Sequence, residues 1–457
     1  MFSIDRIART KSPKMRHWVV AFIDSTLVGT LALLGPLAGS VFFIGLAVLL
    51  ALIISPVGLT LALTLLSHLA EVSGIEFSTM RMAKYAILIV ILWITLLRYL
   101  SEKKALGVGL GEIEKAFALF IGWSLLCSLF AVRPLGSALT LMRLTTFLLV
   151  YLVAKETIEN SSHVRLFLWA LLISVFSSSV FSFASLASGK YARFTGFFAN
   201  PNAFGIFLNS SIPLLLTALL TCRQKATRFL FGIGTLLGSC ALLLTWSRAS
   251  WIALFGFVLT FILVERRKKA VIALASVAVF AVIAVLTSAV IYSSFYHLTR
   301  IGMSSNRRIV LWQHGIDAAV DRPIIGYGFD LRNTDVRGEA AMTGISEIIS
   351  FRRSDEGYNP HCLYIAVLVG AGVPGLILVL MIYYRLLKSQ CVARSGTSYK
   401  ANRVMHSAMI GMIVGSILNS MFEMGSLLGS GSYVIYFWLS LGVTAAVSEK
   451  KLEIWER

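Results

Sequence analysis

Apolar runs long enough to cross a bilayer follow one another along almost the whole chain, and this pattern leaves few folds open. A hydrocarbon core about 30 Å thick offers no partner to a backbone N–H or C=O, so a crossing segment is either a helix of about 20 residues or a strand of a closed barrel. Barrel strands read as alternating segments of about ten residues, and no such segments occur. Only 14% of the residues are charged against 57% hydrophobic, with a mean hydropathy of +0.81. That is too little polar surface to cover a soluble globule of this size. The expected fold is all-α: a polytopic integral membrane protein.

After a basic start (Arg6, Arg9, Lys11, Lys14, Arg16), residues 17–70 are nearly all apolar, interrupted at Gly35-Pro36 and Pro56. No small-residue cleavage site follows, so the start reads as an uncleaved first span and not as a signal peptide. Further spans are expected at 82–100, 114–132, 138–155, 163–188, 199–221, 226–246, 248–265, 269–291, 361–386, 402–422 and 431–447. Residues 17–70 fit two comfortable spans or three short ones, and a cytoplasmic basic start demands an odd number of crossings there, so the expected total is 14 transmembrane helices, or 12 if part of that stretch lies within one leaflet. Three regions result: an N-terminal bundle of transmembrane helices (1–291), a polar loop (292–360) and C-terminal transmembrane helices (361–457).

The net charge of +19 would suit nucleic acid, but its distribution has a topological origin, and no nucleic-acid partner is expected. Basic residues cluster at Lys103 and Lys104, at Arg223, Lys225 and Arg228, from Arg266 to Lys269, and from Arg394 to Arg403. All lie in short segments between spans, as the positive-inside bias of cytoplasmic loops produces. With Arg266 to Lys269 inside, residues 189–198, 246–248 and 292–360 fall outside, and 156–162 and 222–228 inside. The five cysteines have no paired spacing, so neither a disulfide framework nor a zinc site is expected.

The polar loop carries eight arginines, eight carboxylates and no lysine. A solvated linker mixes in lysine, whereas arginine alone favours bidentate recognition of carboxylate or phosphate. The loop is expected to form a lid over a site at the membrane surface. Within it, residues 307–321 place Ile309, Trp312, Ile316 and Val320 at helical spacing, with Arg307, His314, Asp317 and Asp321 opposite. This predicts an amphipathic helix lying on the membrane, stopped by Arg322-Pro323 and by Gly326 and Gly328.

Three polar residues flanking different spans should share the outer edge: Arg193 in YARFTGFFANPNAFG, Arg248 in TWSRASW and His361 in YNPHCLY. Arg248 has almost no loop to carry it into water. It is either a functional group or an anchor snorkelling into the headgroups, while Arg193, near Lys190, also fits an ordinary loop charge. Arginines converging at one face, Arg308 of the lid among them, suit a phosphate or diphosphate. Asn200-Pro201-Asn202 reads as a helix start whose amides can reach an anion, which adds Asn202 to the substrate-binding candidates. His361 is the best-placed general base, the alternative being a structural histidine that caps its span. His314 and Glu423, the latter read as intramembrane, rank behind it. The sequence has no G-x-S-x-G, no His-x-x-x-His or Asp-x-Asp on the outer side and no glycine-rich phosphate loop, so neither a metal nor another cofactor is expected.

The ordered set RFTGFFANPNAFG, TWSRASWIAL, RRIVLWQHGIDAAVDRPIIGYG and NPHCLYIAVLVGAGVPG, spread over about residues 185–385, resembles the bacterial O-antigen ligase and O-antigen polymerase superfamily. The resemblance implies an inverting, metal-independent membrane glycosyltransferase of the all-helical type in the bacterial inner membrane, with lid and site facing the periplasm. It would join a glycan from an undecaprenyl diphosphate-linked donor to an acceptor sugar hydroxyl. Arg193 and Arg248 match positions that would hold the diphosphate, and His361 matches the base. The acceptor is lipid A–core oligosaccharide for a ligase and another carrier-linked repeat unit for a polymerase. The single dominant lid, suited to a large lipid acceptor, favours the ligase. The family's histidine is usually followed by asparagine, whereas here Cys362 follows and Asn359 precedes. The competing class, a flippase for lipid-linked sugar or another transporter, would show charges near mid-bilayer and repeated halves, and the sequence shows neither.

Overall fold

The computed structural model describes residues 111–187, 194–198, 200–266, 303–330, 359–429 and 433–455. The spans expected at 82–100 and 269–291, the crossings within 17–70, Arg193 and residues 331–358 of the polar loop lie outside these. The described residues form helices without strands: α1 (Glu112–Leu129), α2 (Pro134–Thr157), α3 (Ser161–Ala187), α4 (Pro201–Thr221), α5 (Lys225–Leu244), α6 (Arg248–Val264), α7 (Met303–Asp321), α8 (Leu363–Gly396), α9 (Lys400–Asn419), α10 (Gly425–Leu428) and α11 (Tyr433–Glu449). Helices α2, α3, α4, α5 and α8 are long and apolar enough to cross a membrane, and α6 and α11 are shorter apolar helices. The architecture is that of an all-α, polytopic membrane protein.

Local chemistry sets where several of these helices begin. Asn200 caps α4, its side chain accepting from the N–H of Ala203 at 2.8 Å, and Pro201 follows at the first helical position. Ser247 caps α6 in the same way through Ser250. Helices α4 and α9 form the centre of the bundle: α4 packs against α3, α5, α6, α9 and α11, and α9 against α4, α6, α8, α10 and α11. The α6–α9 seam is close because small residues line it. A methyl group at Gly415 would stand 2.6 Å from the Ala253 carbonyl, and Gly411 abuts Phe257.

The helices alternate in direction, so the bundle has two distinct ends. At one, Lys155 is held by Glu114 at 2.9 Å and Glu449 at 2.8 Å. There Lys450 donates to the carbonyls of Lys155, Glu156 and Ile158, and Arg394 lies 3.5 Å from Glu265. The connections carrying Arg223, Lys225 and Arg228, and Lys400 and Arg403, are at this end. The other end gathers the starts of α4, α6 and α8, the turn after α9 and helix α7.

Helix α8 is interrupted at Gly372 (φ 66°, ψ −170°), just before Pro374, and the segment after α7 fills the break. The N–H groups of Tyr327 and Gly328 donate to the carbonyls of Val369 and Gly370 at 2.8 and 2.9 Å, and Val373 N–H donates to Pro323 at 2.7 Å. The Trp123 indole of α1 reaches the Ala371 carbonyl at 2.8 Å. The carbonyls of Val369, Gly370 and Ala371 and the N–H of Val373 thus find partners across the break, as buried backbone requires.

The amphipathic helix forms as expected, but its faces are divided differently. Ile309, Ile316 and Val320 point outward, 48%, 48% and 71% exposed. Trp312, expected beside them, instead faces inward and donates from its indole to the Pro360 carbonyl at 2.9 Å. The protein-facing stripe is Arg308, Trp312, Gly315 and Ala319, so of the four residues expected on the membrane face only Trp312 has left it. Its small members, Gly315 and Ala319, are buried as α7 packs on α8.

Candidate functional site

Helix α9 ends at Asn419, and the chain turns back through Ser420 to Met424. This turn carries Glu423, which is buried although it has a full carboxylate. Such a group is costly away from water unless every oxygen is satisfied, and here three elements supply donors. Asn202, in the first turn of α4, donates its amide N–H to Oε1 at 2.7 Å. Arg308 of α7 reaches the same oxygen at 3.2 Å with one guanidinium nitrogen, while another donates to the Phe422 carbonyl at 2.8 Å. His361 stands with Nδ1 3.3 Å from Oε2.

The position of His361 is fixed by backbone chemistry. Its φ of +48° is left-handed, a conformation that histidine tolerates better than most residues. The side-chain oxygen of Asn359 accepts the His361 N–H at 3.0 Å and so builds the turn. The asparagine ahead of the histidine thus has a structural task. Cys362, not His361, occupies the cap of α8, without a side-chain cap bond, so the capping role considered for the histidine is absent. The N–H of Leu363 donates to the Ser420 carbonyl at 2.9 Å, and the Tyr364 hydroxyl donates to Ile417 at 2.9 Å. These two bonds lock the start of α8 to the end of α9 and hold His361 beside Glu423.

Arg248 is the first residue of α6, half-buried at the same end, where it and Arg308 act on each other as like charges. Asn209 of α4 donates to the Ser250 carbonyl at 3.1 Å, which ties the start of α6 to the helix that carries Asn202. Phe194, the residue after Arg193, donates its N–H to Leu244 at 3.3 Å, so the chain there runs beside the turn leading to Arg248. Of the candidates from sequence, Asn202, Arg308 and His361 meet at one carboxylate and Arg248 stands at the same end. His314 lies on α7 and is half-buried. Glu423, ranked low on sequence, is the residue that the others converge on.

Chemically this is a carboxylate held by an amide and a guanidinium, with a histidine hydrogen-bonded to its other oxygen. Among the described residues no three His, Cys, Asp or Glu side chains are grouped as metal ligands. The fold and this cluster define a multi-pass membrane protein with a buried carboxylate, a histidine and an arginine gathered at the end opposite its basic connections. Residues 233–380 match the family model described as O-antigen ligase, which bears out the O-antigen ligase and polymerase superfamily to which the four motifs point, one of membrane glycosyltransferase-like enzymes. The matched stretch contains Arg248, Arg308 and His361, whereas Asn202 and Glu423 lie beyond its two ends. A search of curated proteins finds no match to the chain.

Proposed function

We propose that the chain is an O-antigen ligase: an inverting, metal-independent transferase that moves a glycan from undecaprenyl diphosphate to lipid A–core oligosaccharide at the periplasmic face of the inner membrane. The observation that carries this reading is the convergence of Asn202, Arg308 and His361 on Glu423, with Arg248 alongside, at the end opposite the basic connections. By the positive-inside bias, that end faces the periplasm.

The chemistry needs an activated acceptor more than a better leaving group. A sugar hydroxyl does not ionise unaided at neutral pH, and base assistance contributes about a hundredfold to ten-thousandfold. His361 takes the hydroxyl proton as the acceptor oxygen bonds to the anomeric carbon from the face opposite the diphosphate. The bond from that carbon to the phosphate oxygen breaks, its electron pair leaves on the lipid diphosphate, and the anomeric configuration inverts. Arg248 and Arg308, joined by Arg193 from the outer loop, stabilise the departing charge. The outward Ile309, Ile316, Val320 and Ile324 seat α7 among the headgroups, where lipid-borne substrates approach from the side.

The test is purified protein reconstituted with a carrier-linked glycan and lipid A–core. Glycan on lipid A–core is the expected product. Carrier-linked glycan lengthened by repeat units would make the chain a polymerase, and glycan carried across the bilayer unattached would make it a flippase.

A further inference from the structure

We infer that Glu423 is a positioning residue for His361, holding the imidazole with its proton on Nδ1 and its lone pair on Nε2 toward the acceptor; this deepens the transfer reading above and rests on it. The carboxylate divides its work between its two oxygens. Oε1 receives Asn202 at 2.7 Å and Arg308 at 3.2 Å, and Oε2 faces His361 Nδ1 at 3.3 Å. An ionised carboxylate only accepts hydrogen bonds, so the bonded arrangement puts the proton on Nδ1. Nε2 then keeps its lone pair, on a side chain 26% exposed beside a carboxylate only 12% exposed. The same negative charge favours the imidazolium that forms as the acceptor proton arrives.

The geometry is held from several sides. The Glu423 N–H donates to Asn419 at 3.0 Å, continuing the end of α9. The Tyr383 hydroxyl of α8 bonds Ser416 and Ser420 of α9 and its turn at 3.3 and 2.9 Å. The charged group in contact with the pair is Arg308 on α7, and Arg248 on α6 acts on that arginine as a like charge. Arg308 also ties the pair to the donor side, since the cation expected at the diphosphate grips the same carboxylate that orients the base.

Glu423→Gln is the informative change because glutamine can present an N–H to Nδ1. That would drive the proton to Nε2, the nitrogen that must be free. In reconstituted protein with a carrier-linked donor, Glu423→Gln should lower kcat by about tenfold to a hundredfold, a part of what a base contributes, and leave donor affinity within about threefold. Glu423→Asp, which restores an acceptor-only group, should recover part of the loss. The double variant His361→Ala/Glu423→Gln should be no slower than His361→Ala alone, because residues acting through one another are not additive. Wild-type kcat in Glu423→Gln, or additive losses in the double variant, would overturn the assignment. So would donor binding tightened about tenfold with transfer intact, which would make the carboxylate a competitor for the anion site. A His361→Ala protein that transfers at the wild-type rate would instead sink the transfer reading itself.

Discussion

Arg248 opens α6 one residue after its cap, half-buried and within electrostatic reach of the Arg308 guanidinium. An arginine that grips two phosphate oxygens needs its planar fork, whereas one that anchors a helix in headgroups needs only its charge. Arg248→Lys should therefore cost about 2–4 kcal/mol of transition-state stabilisation, roughly thirtyfold to a thousandfold in transfer rate. A lysine variant with near-normal transfer would mark a headgroup anchor. Arg248 and His361 were legible in the sequence because span parity sends both to one face, and residue type suggests what each does there. Glu423 was harder to see. Its partners Asn202 and His361 are 221 and 62 residues away in the chain, and no periodicity links positions so far apart. Its one signal was an ionisable side chain at the end of an apolar span, where a charge is costly. Asn359 shows the opposite case: an unusual placement in the motif has a local reason, the turn that holds the histidine.

Helix α7 and the break in α8 act as one unit, in which a segment of the polar loop is strapped into the helix bundle. Arg308 and Trp312 fasten one end of α7 to the turn at Phe422 and to Pro360. At its other end Pro323, Tyr327 and Gly328 bond into the break at Gly372. The conformation of Gly372 is one that residues with a Cβ avoid at a cost of about 1–3 kcal/mol, and a Cβ there would also press on the carbonyls of Pro323 and Ile324. Gly372→Ala should lower the melting temperature of the purified protein and release residues 323–328 to proteolysis. An unchanged melting temperature and cleavage pattern would show that the strap contributes little. The 307–321 pattern revealed the helix because its period is local. Which of two adjacent stripes meets protein was not decided by the period. Gly315 and Ala319, small enough for α8 to approach, were the pointer to the inward face.

At the scale of the whole molecule, the basic connections and the polar cluster sit at opposite ends of the bundle, and hydropathy with charge bias was enough to anticipate that division. Sidedness can be read with single cysteines in a cysteine-free background. A membrane-impermeant thiol reagent should label Gln313→Cys on α7 and not Gln224→Cys between α4 and α5 in intact spheroplasts, both positions being exposed. Labelling of position 224 alone would invert the bundle and move the site to the cytoplasm. The central claim is that the cluster around His361 carries out glycosyl transfer, with donor binding and acceptor activation assigned to different residues. Its most direct test measures both quantities on purified protein with undecaprenyl diphosphate-linked glycan. His361→Ala should bind donor within about threefold of wild type yet transfer at least about a hundredfold more slowly, while Arg248→Ala should lose donor affinity itself. Wild-type transfer by His361→Ala, or loss of donor binding as complete as in Arg248→Ala, would contradict the account.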